Sequence, residues 1–102
     1  MASKVGFVYI MSNKNRTTFY IGDTNCIERR VEEHKSGKNG FSSRYNLFDL
    51  MYYERIIGFR NAIDREKQLK NWHRQWKINL IKEMNPEMKD LSRDWRKVEN
   101  VD

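Results

Sequence analysis

The stretch that most constrains this chain is Val5-Gly6-Phe7-Val8-Tyr9-Ile10-Met11. It is short, apolar and rich in β-formers, and so predicts a buried strand. A polar turn without proline follows, Ser12-Asn13-Lys14-Asn15-Arg16-Thr17. The chain then turns apolar again at Thr18-Phe19-Tyr20-Ile21, so the two runs predict an antiparallel hairpin. Gly22 is expected to end the second strand, where a glycine permits a sharp bend or a close approach to the backbone.

Beyond the hairpin the apolar period changes from strand to helix. Ile27 and Val31 give a helix its inward face, with Asn25 and Glu28 spaced like a capping box and Gly37 as the stop. Arg30 and His34 are four residues apart, so they share one side of that helix beside the apolar stripe. Lys35 to Asn46 is a polar loop. Asp49 to Ile56 predicts a third strand and Phe59 to Trp72 a second helix. A third helix is expected from about Gln75 to Met84, with Trp76, Leu80, Ile81 and Met84 inward, ended by Asn85-Pro86. Leu91 and Trp95 are expected to dock on the body. The order β-β-α-β-α-α predicts an α+β fold, a small three-stranded antiparallel sheet flanked by helices. No repeat or interdomain linker interrupts it. The reading is one domain over 1–95 with a polar C-terminal tail over 96–102.

The net charge of +6 favours a polyanionic partner, nucleic acid or an anionic surface. Cys26 is the sole cysteine, which excludes an internal disulfide and a cysteine zinc cluster. No apolar run approaches the length of a membrane span, and the N-terminus lacks a signal-peptide core, so the expected address is the cytoplasm. Lys35, Lys38, Arg44 and Tyr45 in the polar loop mix basic groups with an aromatic ring. That mixture suits contact with phosphates and bases, and equally a solvated loop pinned by aromatics.

Glu66 is the residue whose setting asks for an explanation. On a helical wheel it falls between Ala62 and Ile63, near the centre of the inward stripe. A carboxylate there is costly unless it is paired or binds a metal. A structural ion pair with an arginine such as Arg30 and a divalent cation are both open. Mg²⁺ suits such a site, because it keeps several waters and completes its shell with substrate phosphate. Tyr9 and Tyr20 read either as core tyrosines or as proton acceptors that need a nearby cation. Arg30 suits phosphate oxygens, and His34 can donate to a tyrosine or a phosphate.

Taken together these residues resemble the GIY-YIG nuclease superfamily, in its small stand-alone form. Phe7-Val8-Tyr9 stands for the first motif and Tyr20-Ile21-Gly22 for the second. Ile27 to His34 carries the arginine-then-histidine helix, and Glu66 takes the place of the metal-binding glutamate. The resemblance covers about Phe7 to Trp95. It implies endonucleolytic hydrolysis of a DNA phosphodiester by a one-metal mechanism with Mg²⁺ (or Mn²⁺), RNA remaining open as a substrate. Residue by residue it implies that Glu66 holds the metal and that Tyr9 or Tyr20 helps deprotonate the attacking water, with Tyr9 favoured as the base and Tyr20 positioning water or phosphate. Arg30 steadies the transition state and His34 assists. Work in DNA repair or recombination, and a protein partner that supplies target choice, are further implications. Two positions depart from the pattern: Phe7-Val8 replaces Gly-Ile, and Asp23 follows Gly22, where it can bind metal or repel phosphate. The competing expectation is a nucleic-acid-binding module of the same fold without cleavage.

Overall fold

The computed structural model describes residues 4–37, 44–93 and 95. Three strands, β1 (Val5–Ser12), β2 (Phe19–Thr24) and β3 (Asp49–Ile57), form an antiparallel sheet in the order β2-β1-β3. Helix α1 (Ile27–Lys35) follows the hairpin, and α2 (Phe59–Lys70) and α3 (Arg74–Met84) follow β3. The α+β architecture and the β-β-α-β-α-α order are therefore those expected from the sequence.

The central position of β1 explains its unbroken apolar run, because both of its faces are covered. Val8 and Ile10 point to a cluster with Ile21, Ala62, Leu69 and Ile81 under α2 and α3. Tyr9 and Met11 point the other way, to Ile27, Val31, Leu47 and Leu50 under α1. Alternation across the strand thus splits one apolar run between two cores. The β1–β3 register skips Met51, so Leu50 enters one cluster and Met51 with Tyr52 the other. Gly6 lets α2 lie close to the sheet: a Cβ there would stand 2.7 Å from that of Ala62. Leu91 and Trp95 pack on the α1-side cluster as expected. Asp90 anchors their segment, accepting from Leu50 N at 2.9 Å and from Lys35 Nζ at 2.7 Å.

Several local expectations are corrected. Strand β2 does not end at Gly22 but continues to Thr24, with Gly22 paired to Tyr9 and Asp23 to Val8. Pairing with β1 satisfies the backbone there, and the glycine serves side-chain space rather than a bend. No capping box forms at α1. The N-cap is Cys26, Thr24 Oγ1 accepts from its backbone N–H at 3.1 Å, and Asn25 accepts from Arg29 instead. On α3, Trp76 and Met84 face out, 53% and 45% exposed, while Ile81 is buried. The helix carries two competing apolar series, and the one through Ile81 and Asn85 meets the sheet.

Candidate active site

The backbone places the candidate residues on both sides of the edge strand β2. Tyr9 on β1 and Tyr20 on β2 project toward α1, where they meet His34. The ring centroids lie 6.2 Å apart for the two tyrosines, 5.7 Å for Tyr9–His34 and 5.5 Å for Tyr20–His34. Tyr9 Oη is 3.3 Å from His34 Nε2. Gly22 makes this triangle possible, since a Cβ on it would stand 2.5 Å from Tyr9 Oη and 3.0 Å from Tyr20 Cε2. Tyr9 is fully buried, whereas Tyr20 reaches the surface.

Arg30, one turn before His34, brings its guanidinium charge near the Tyr9 hydroxyl. Its Nε lies 3.3 Å from Glu33 Oε1 but is too poorly aligned for a hydrogen bond, so this buried donor has no such partner among the described residues. A fixed cation with donor capacity in reserve suits an incoming phosphate oxygen.

Glu66 approaches from the other face of the sheet. Its carboxylate pairs with Lys70 Nζ at 2.8 Å, one helical turn on, and its side chain is 13% exposed. The ion pair is therefore with Lys70, not with Arg30 as the sequence left open. Asp23, alternating with Gly22 along β2, turns to the same face, where its carboxyl and that of Glu66 influence one another. Lys70 was not singled out in the sequence, although its position four residues after a buried glutamate is a readable signal.

The electrostatics follow from these contacts. Burial pushes the Tyr9 hydroxyl well above its ordinary value, the charge of Tyr20 adds to the rise, and Arg30 opposes it. Burial also raises the Asp23 carboxyl, aided by the hydrogen bond and charge of Glu66 and opposed by Lys70 and Arg30. Hydrogen bonding to Glu66 lifts the Lys70 ammonium above its usual range. His34 is driven down to about 4, first by burial and then by Arg30, with Glu33 opposing. The imidazole is thus neutral across the physiological range.

This last shift has a measurable consequence. Between pH 6.5 and about 4 the unfolded chain takes up a proton that the folded His34 refuses. Stability therefore falls as the pH drops through that window, by about 3 kcal/mol, and this contribution levels off below it. Urea unfolding of wild type and His34→Gln across pH 4–7 is the check. The variant is expected to lack that part of the slope, and equal slopes would assign the acid sensitivity elsewhere.

Glu66 and Asp23 offer hard oxygen donors, which fit an open Mg²⁺ site completed by water and substrate. Among the described residues no group of three or more His, Cys, Asp or Glu could cage a metal, so a closed site does not fit. In the polar loop, Lys35 is held by Asp90 and Lys38 lies outside the described residues. Arg44 lies over the exposed Tyr45 ring, 5.7 Å from its centroid.

A small antiparallel sheet whose paired tyrosines meet an arginine–histidine helix on one face and a helical glutamate on the other defines a class. The chain belongs to the GIY-YIG catalytic domain family, whose model matches residues 5–79. Its relatives include a "UPF0213 protein" of Syntrophus aciditrophicus, 36% identical over 79% of this chain and 93% of the relative. Others are UPF0213 proteins of Staphylococcus haemolyticus (31% identical, over 76% of this chain and 94% of the relative) and Natronomonas pharaonis (33%, over 74% and 88%). No solved structure matches the chain. Membership implies nuclease-type chemistry on a nucleic acid, in a family that typically uses a divalent metal.

Proposed function

We propose that the chain is an endonuclease that hydrolyses DNA phosphodiesters with one Mg²⁺ (or Mn²⁺) ion. What supports this reading is that Asp23 on the edge strand β2 lies within the influence of both Arg30 of α1 and Glu66 of α2, while Tyr20 on the same strand is near Lys70. Glu66 would hold the ion, with Asp23 as a second oxygen donor, in place of the pairing of Glu66 with Lys70. The bound ion supplies Lewis-acid stabilisation of the phosphate oxygens.

The chain's own residues do the rest. Arg30 donates to a non-bridging oxygen and steadies the charge that builds as water attacks phosphorus and the P–O bond breaks. The attacking water must lose a proton. Tyr9, the acceptor expected from the family resemblance, is fully buried and its hydroxyl is raised, so it is poorly suited to that role. Tyr20 is half-buried on the edge strand and reaches the surface near Lys70, where water and substrate have access to its hydroxyl. We therefore assign proton abstraction to Tyr20. Tyr9, hydrogen-bonded to the neutral His34, holds the Tyr20 ring in place. Target choice would come from a protein partner, and the setting would be DNA repair or recombination in the cytoplasm. The second carboxylate at Asp23 favours one alternative, a binding module in which negative charge weakens cleavage.

Cleavage of an end-labelled DNA under single-turnover conditions, with Mg²⁺ and with a chelator, tests the reading. Cutting is expected only with Mg²⁺. Tyr20→Phe should slow it by roughly 10²–10⁴-fold, the usual contribution of a general base, and Tyr9→Phe by less. Full activity in Tyr20→Phe beside a dead Tyr9→Phe would reverse the two roles. Binding without metal-dependent cutting of any DNA or RNA would favour the binding module.

A further inference from the structure

The elbow between α2 and α3 carries an aromatic surface that the active site does not use. Trp76 is 53% exposed although it belongs to an otherwise apolar helical series. It is held edge-on by Trp72, with ring centroids 5.9 Å apart, and by His73 at 5.2 Å. An open cleft of about 230 Å³ beside it is lined by Trp72, Trp76, Asn79, Leu80 and Glu83. The indole is therefore braced by neighbouring rings, with one side of the patch left open.

The surroundings of the patch are cationic. Between positions 59 and 84 the chain has seven Lys or Arg against three Asp or Glu. Arg74 sits 4.8 Å over the Phe19 ring and donates to the carbonyls of Arg16 and Thr17, so its charge meets no carboxylate among the described residues. Lys77, one residue from Trp76, has no ion pair there either. Charge of this sign around an exposed indole suits a polyanion with planar groups better than an apolar protein face. The polar lining, Asn79 and Glu83, offers hydrogen-bonding groups to the edge of a base.

The patch is also close to the candidate active site along the chain. Trp72 lies two residues past the end of α2, the helix that carries Glu66 and Lys70. Phe19, under Arg74, is the neighbour of Tyr20 on β2.

We propose that the α2–α3 elbow binds an unpaired base of the nucleic-acid substrate, stacked on Trp76, with Arg74 and Lys77 on the adjoining phosphates. The enzyme would then act on strands that are single or locally unpaired near the scissile bond. This rests on the nucleic-acid reading of the site but not on cleavage, so it is tested by binding without metal.

Fluorescence anisotropy with labelled poly(dT) and with a blunt hairpin duplex, in chelator, separates the outcomes. Trp76→Ala is expected to weaken poly(dT) binding about tenfold, in the range for loss of one stacked base, with duplex binding unchanged. Trp76→Phe, which keeps a ring, should restore most of it. Circular dichroism confirms that each variant is folded. Unchanged poly(dT) affinity in Trp76→Ala overturns the proposal, as does an equal loss for both DNAs. A wild-type dimer that Trp76→Ala turns into a monomer also overturns it, by assigning the patch to a second copy of the chain. If wild type binds the duplex but not poly(dT), only this proposal falls. If it binds neither, the nucleic-acid reading of the active site falls with it.

Discussion

Glu66→Gln is expected to abolish metal-dependent cleavage, by at least about 10³-fold, while leaving the protein folded and able to bind DNA. The substitution keeps the size of the side chain and one carbonyl oxygen but removes the charge that would hold a divalent ion. It also breaks the pair with Lys70, which stands at 2.8 Å. Lys70 is about half exposed, so that pair contributes at most about 1 kcal/mol. Loss of the pair is offset in part, because Glu66 also faces the carboxyl of Asp23. A neutral partner relieves that like-charge contact. Thermal unfolding should therefore change little. Single-turnover cleavage and anisotropy on the same preparation give the two readouts. A large fall in Tm with cleavage retained would instead make Glu66 a structural residue.

Gly22→Ala is expected to damage both stability and activity, through space alone. Among the described glycines, positive φ is confined to Gly37 and Gly58, so the backbone at Gly22 accepts an L-residue. The added methyl, however, would stand 2.5 Å from Tyr9 Oη and 2.7 Å from its Cζ. Tyr9 is fully buried between β2, α1 and His34 and has nowhere to swing. Overpacking of this kind costs about 1–3 kcal/mol. The rings it displaces are those that place Tyr20, and an ångström of misplacement can cost about 10²-fold in rate. Chemical denaturation and single-turnover cleavage check the two halves. Unchanged stability with unchanged rate would mean that the tyrosines are not packed against Gly22 as described.

Most of the fold could be read from residue patterns. The run Val5 to Met11 and the return through Phe19 predict a hairpin, and both-face burial of β1 accounts for the absence of polar alternation. Ile27 and Val31 of the first helical stripe and Ala62 and Leu69 of the second are buried as read, whereas Phe59, at the start of the second, is exposed. What pattern could not decide was which of two apolar series on α3 meets the sheet. Of the inward set, Ile81 is buried and Leu80 packs on the core, yet Trp76 and Met84 are exposed and Asn85 takes a buried position. Asn85 is held there by donating to the Met51 and Lys89 carbonyls, a tertiary contact with no local signature.

The site divides in the same way. The arginine–histidine spacing on α1 is local, and so is the anomaly of a carboxylate within the α2 stripe. The facing of Asp23 and Glu66 depends on how α2 lies over the edge strand, which periodicity does not specify. Sequence likewise could not rank Tyr9 and Tyr20, because their difference in burial arises from the central place of β1 and the edge place of β2.

The central claim is that one metal ion held at Glu66 enables the residues around β2 to cut a phosphodiester. The measurement that addresses it most directly is nicking of supercoiled plasmid over a Mg²⁺ titration, wild type beside Glu66→Gln. A single cut relaxes a whole molecule, so weak activity registers. Wild-type nicking is expected to rise with Mg²⁺ and vanish in chelator, with no nicking by the variant at any concentration. Equal nicking by both proteins would contradict it and remove Glu66 from the chemistry.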